Sequence, residues 1–181
     1  MPTVRARVLV GPVLTSLLLV VPVDATAQVA AHLDIRSASI AEVSDYDPIL
    51  ILEREVAIRI EVVKAPNCTA ARGSLAYGIL VDSDKSLKTR ARGKELKGLG
   101  VDSRIIAMCD PATRTFLSPV GTVAVTEGEE GTSFIEILTT VAMLPSVDFR
   151  WIAYAAEDGE FVRLPDKKDH LTWTISELAV R

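Results

Sequence analysis

The chain has 181 residues, 49% of them hydrophobic and 24% charged, with a formal net charge of −4 at neutral pH. That length and apolar content suffice for one full hydrophobic core without a metal or cofactor to hold it, and they favour one domain over two. The mild acidity excludes general nucleic-acid binding, which needs a strongly basic face.

The first segment, residues 1 to 27, has the organisation of a cleavable export signal. Arg5 and Arg7 supply a positive start, Val8 to Val23 is apolar apart from Gly11, Pro12, Thr15, Ser16 and Pro22, and Ala25-Thr26-Ala27 forms the small-x-small pattern of a cleavage site. An uncleaved anchor is the competing reading, but prolines break the run and leave it short of the ~20 clean residues a spanning helix needs. No cysteine follows the apolar run, which argues against a lipoprotein. Cleavage after Ala27 leaves residues 28 to 181 as a single domain with 18 basic and 23 acidic side chains, a net charge of −5. The expected location is therefore secreted or periplasmic, with no membrane span after cleavage.

From Leu33 onward the pattern is one of strands. Leu33 to Glu42 is the first candidate, and Glu55 to Val63 the clearest. There Val56, Ile58, Ile60 and Val62 share one face while Glu55, Arg59 and Glu61 share the other, the period of a half-buried strand. Leu75 to Val81, Leu87 to Lys94, Ile105 to Cys109 and Val120 to Val125 follow. Ser133 to Met143 places Ile135, Ile137, Val141 and Met143 on one face, with Phe134 and Leu138 making the other partly apolar, so a central strand is expected. Phe149 to Tyr154 and Phe161 to Leu164 flank Glu157-Asp158-Gly159-Glu160, and Asp-Gly is a preferred pair for a tight hairpin. His170 to Ile175 ends the series. Short strands separated by turn residues, with no sustained helical period, predict an all-β sandwich or barrel.

Cys68 and Cys109 are expected to form a disulfide, because thiols in an exported domain usually pair. Two separate buried thiols are the alternative. A zinc site lacks support, since the two cysteines and the distant His32 and His170 have none of the paired ligand spacing zinc uses.

Leu33-Asp-Ile-Arg-Ser-Ala-Ser-Ile40, followed by a loop and the alternating strand, resembles the opening of immunoglobulin-like modules on bacterial cell-surface proteins. The fibronectin-III-like and adhesion-type domains are the nearest in pattern, and the Phe149 to Leu164 hairpin stands where their last long strands do. The resemblance implies an immunoglobulin-like antiparallel β-sandwich. It departs from the antibody pattern in having no tryptophan between Cys68 and Cys109 and a closer cysteine spacing than an inter-sheet bridge usually has.

For function, catalysis has little to work with. A serine or cysteine nucleophile needs a histidine base. His32 lies near the expected mature terminus, where chains are usually loose, and His170 reads as a solvated strand-end residue with no nucleophile motif beside it. Paired carboxylates could run glycoside hydrolysis, but 23 carboxylates do not single out a pair. Calcium is suggested by the acidic segments Asp45-Tyr46-Asp47, Asp82-Ser83-Asp84 and Glu127-Gly128-Glu129-Glu130. Counting from Asp82, however, puts Leu87 and Gly93 where an EF-hand needs glycine and glutamate. Solvated turns are the better account.

The most distinctive charge feature is the stretch Lys85 to Lys97. If extended, it places Lys88, Arg90, Arg92 and Lys94 on one face as a ladder ~6 to 7 Å apart. Such a ladder could bind an anionic envelope polysaccharide or an acidic protein surface; the alternative is that it guards a sheet edge. Trp151 and Trp173 could form a sugar platform, though their place inside strands favours core packing. The sequence thus points to a non-enzymatic binding or structural module of the bacterial envelope or secreted fraction, with no cofactor and a protein or polysaccharide partner. A secreted or periplasmic hydrolase with a carboxylate-based site is the alternative.

Overall fold

The computed structural model describes residues 30–43, 51–68, 75–86, 99–166 and 169–175. In chain order the strands are β1 (Ile35–Glu42), β2 (Glu55–Val62), β3 (Ala76–Asp82), β4 (Ser103–Asp110), β5 (Thr115–Leu117), β6 (Thr122–Glu127), β7 (Ser133–Thr140), β8 (Asp148–Glu157), β9 (Glu160–Leu164) and β10 (Leu171–Thr174). They form two antiparallel sheets. The first has the order β1-β2-β7-β6, and the second β10-β8-β3-β4-β5 with β9 also paired to β8.

The alternating residues of β2 explain why these sheets stack. Val56, Ile58, Ile60 and Val62 are all buried, and Ile58 and Ile60 sit opposite Ile137 and Ile135 of β7. This aliphatic layer belongs to one core with Tyr77, Ile79, Val81, Ile105, Ala107, Phe149 and Trp151 of the second sheet. Each fully buried isoleucine stabilises the fold by about 1.5–3 kcal/mol relative to exposure.

β3 is buried along its whole length because its outer face is covered as well. There Leu80 joins Leu99, Ile152 and Tyr154 in a smaller cluster. Gly78 lets β3 and β4 approach: a Cβ at this position would lie 2.1 Å from the Ile105 carbonyl oxygen, so only glycine fits.

The hairpin between β8 and β9 follows the Asp-Gly expectation. Glu157 pairs with Glu160, and Asp158 and Gly159 take φ of 50° and 89°, the left-handed conformations a two-residue turn needs. β9 and β10 lie along the same edge of β8, pairing with residues 153–157 and 148–151 respectively.

One expectation requires correction. The strand expected over Ser133 to Met143 ends at Thr140, where its partner β2 begins at Glu55 and the ladder runs out. Val141–Met143 forms a single 3-10 turn instead, which buries Val141 and leaves Met143 49% exposed. β5 was not anticipated at all: Thr115-Phe116-Leu117 is too short to show a period. The expected strand Leu87 to Lys94 lies outside the described residues.

Candidate functional site

The expected leader, residues 1 to 27, falls outside the described residues, as do Asp45 and Asp47 and the four basic candidates Lys88, Arg90, Arg92 and Lys94. The ends of the connection that carries the basic stretch are described. At its start Lys85 forms an ion pair with Asp148, and at its return Leu99 is buried against the outer face of the second sheet. Beneath that cover the Tyr154 phenol is pushed up to about 12 by burial.

Among the described residues, the acidic turn at the start of this connection is more than a solvated loop. Asp82 is fully buried, and its carboxylate oxygens accept the N–H groups of Ser86 and Gly100 at 3.1 and 3.4 Å. Asp102 accepts from the N–H and hydroxyl of Ser83 at 3.0 and 2.8 Å and from the N–H of Asp84 at 3.3 Å. The carboxylates of Asp82, Asp84 and Asp102 offer oxygens within 4.8 Å of one another, and burial holds the Asp82 carboxyl above its ordinary value. Three hard oxygen donors, two from the start of the connection and one from its end, are of the type calcium accepts. Their visible bonds go to the backbone and hydroxyl of the same connection, so the cluster fixes the two ends of that connection beside β3.

Cys68 and Cys109 are bonded, with their Cα atoms 5.5 Å apart. The bridge ties the segment after β2 to β4. Trp151 and Trp173 are both buried in the core, where Trp173 packs on Phe149 at 5.2 Å between ring centroids. A sugar platform on either ring is therefore ruled out. His170 is partly buried, and His32 is not loose. The Nε2 of His32 lies 2.7 Å from Glu157 Oε2, and its carbonyl accepts the Tyr77 hydroxyl at 2.7 Å. Neither histidine lies among the cleft residues described next.

The two sheets are closed to different degrees along their sides. On the side of β1 and β9, Leu33 and Ile35 fill the gap and the His32 contacts stitch it. On the side of β5 and β6 the sheets part, leaving an open cleft of about 370 Å³ lined by Pro66, Asn67, Cys68, Arg114, Thr115, Phe116, Val123 and Val125. Phe116 forms its floor, edge-on to Tyr77 at 5.7 Å. Val125 is 42% exposed at its mouth, and Arg114, held at a φ of 59° in the turn before β5, brings the lining's one charge. A lining of this kind can take up apolar side chains and one anionic group. Among the described residues it holds no carboxylate to act as acid or base.

Sequence reasoning missed this cleft because its floor comes from the unrecognised β5. A signal was present nonetheless, since Thr122 to Thr126 reads as a strand without a lysine, arginine or proline. No helix among the described residues is long and apolar enough to cross a membrane. Comparisons of the chain with protein-family models, curated proteins and solved structures find no match.

Proposed function

We propose that the chain is an exported, immunoglobulin-like binding module of the bacterial envelope or secreted fraction, which engages a protein or polysaccharide partner without catalysing a reaction on it. The observation that carries the binding reading is the cleft between β5 and β6. Its lining combines apolar residues and one aromatic ring with polar groups and one cation, and among the described residues it has no acid–base pair. Lys88, Arg90, Arg92 and Lys94 are the second candidate contact, directed at anionic polymers.

The immunoglobulin-like part is supported by strand order. With β1, β2, β7 and β6 as A, B, E and D, and β9/β10, β8, β3, β4 and β5 as G, F, C, C′ and C″, the succession parallels that of variable-type domains. The bridge from the β2–β3 connection to β4 departs from the B-to-F bridge of antibody domains. Fold analogy speaks to architecture alone. Export is supported by the leader pattern together with the bonded cysteines. Among the described residues, the carboxylate cluster open to the hydrolase alternative is Asp82, Asp84 and Asp102, where Asp82 and Asp102 accept hydrogen bonds that hold the ends of their own connection.

The test begins with mass spectrometry of the chain recovered after expression in a bacterial host. The expected species starts at Gln28 and carries an intact Cys68–Cys109 bond; an intact leader with two free thiols contradicts export. Immobilised protein is then exposed to purified envelope polysaccharide and protein fractions at low and high salt. Retention weakened by salt, and by replacing Lys88, Arg90, Arg92 and Lys94 with serine, supports the ladder. Absence of retention from every fraction contradicts the binding reading.

A further inference from the structure

Among the described residues four positions are sheet edges, and three of them carry a feature that discourages pairing with another chain. β1 has a register shift between Ile35 and Ser37, with Arg36 exposed at the shift. β5 is three residues long. The edge formed by β9 and β10 is interrupted between Leu164 and Leu171. Bulges, short length and interruption are the ordinary means by which a sheet avoids edge-to-edge association. β6 has none of these. Its register with β7 is regular from Thr122 to Glu127, and its only charge is at the last position.

The hydrogen-bonding phase of β6 follows from its end. The Gly128 N–H donates to the Thr132 carbonyl at 2.9 Å, one step beyond the Glu127–Ser133 pair. Antiparallel pairs alternate between bonded and non-bonded. Thr126 and Ala124 are therefore bonded to β7, while the N–H and C=O groups of Val123, Val125 and Glu127 point to the open side. The side chains of Val123 and Val125 line the cleft.

We propose that β6 pairs antiparallel with β6 of a second copy of this chain, about a two-fold axis at Ala124. A two-fold contact uses the same patch on both copies, so the strand must complement itself. In this register Val123 faces the partner's Val125, and Val125 faces the partner's Val123, through residues whose outward backbone groups have no partner among the described residues of one copy. Glu127 falls opposite the partner's Gly121, so no like charges meet. The valines of each copy cover the mouth of the other's cleft, removing the exposed Val125 side chain from water. The inference goes beyond the binding-module reading: this contact competes with entry of another partner into the cleft, while export and retention through Lys88, Arg90, Arg92 and Lys94 do not depend on it, so sedimentation and retention can fail separately.

Sedimentation of the exported chain over a concentration series, together with two variants, tests it. The unmodified chain is expected to reach twice the monomer mass. Ala124→Cys places two thiols at a non-bonded pair, where Cα atoms are about 4.5 Å apart, within the range a disulfide spans. It is expected to give a covalent dimer on oxidation, whereas Thr172→Cys on the far sheet is not. Val125→Lys is expected to remain monomeric at concentrations where the unmodified chain is dimeric, with its melting temperature retained in dilute solution. A chain that stays monomeric throughout, an Ala124→Cys variant that crosslinks no better than Thr172→Cys, or a dimer indifferent to Val125→Lys would overturn the proposal.

Discussion

The two sides of the sandwich solve the same problem differently. On the side of β1 and β9, the residues before β1 turn inward, bury Leu33, and hand the His32 carbonyl to a tyrosine and its ring to Glu157. On the side of β5 and β6, three residues of β5 face six of β6, and the gap is spanned by Phe116 with a disulfide beside it. A continuous apolar layer runs between them. Closure of a sandwich therefore depends less on the central strands than on how much chain is available to cover each side.

Four experiments break or sharpen this contrast, from the largest expected effect to the smallest. Replacing Cys68 and Cys109 together by alanine removes a link between residues 41 apart in sequence, and denaturant unfolding is expected to show a loss of ~4 kcal/mol on the chain-entropy account. Phe116→Ala deletes the floor of the open side. A loss of ~3 kcal/mol is expected, and a loss well below ~1 kcal/mol would mean that the cleft carries no share of the core.

Tyr77→Phe breaks the hydroxyl contact to His32 on the closed side and leaves the ring in place. It is expected to cost ~1 kcal/mol. Local exchange should increase around β1, and increased exchange confined to β6 would contradict the assignment of this bond to the closed side.

The smallest effect is expected from pH. The Asp110 carboxyl is held below its ordinary value by the Ala112 N–H and the Thr113 hydroxyl, and that of Asp148 by Lys85 and Thr174. Their contribution is present above the unfolded carboxylate pKa of ~3.9 and is lost as pH falls through the lower folded values. Asp82 is raised by burial, so its contribution has the opposite sign: present in acid and lost as pH rises through its folded pKa. Melting temperatures should therefore fall only modestly below about pH 4, and Asp148→Asn should reduce the fall.

The fold was legible wherever one face of a strand is buried and the other wet. Val56, Ile58, Ile60 and Val62 alternate strictly and lie where the period puts them, and Asp158-Gly159 marks the turn it forms. Legibility failed where tertiary partners decide. Thr140 ends β7 opposite Glu55, where β2 begins, which no property of Val141 or Met143 announces. His32 was unreadable for the same reason, since Glu157 lies 125 residues away. Asp82 looked like a turn residue, but its burial depends on the return of Leu99 and Gly100. The cleft needed β5, whose three residues carry too little pattern to be found.

Residue-resolved amide hydrogen exchange along β6, at low and high protein concentration, tests the open side most directly. In dilute solution the amides of Ala124 and Thr126 are expected to be protected by β7 while those of Val123 and Val125 exchange freely, and the latter pair should slow as concentration rises. Uniform protection of all four amides in dilute solution would contradict the account, because it would mean that this edge is already covered within a single copy.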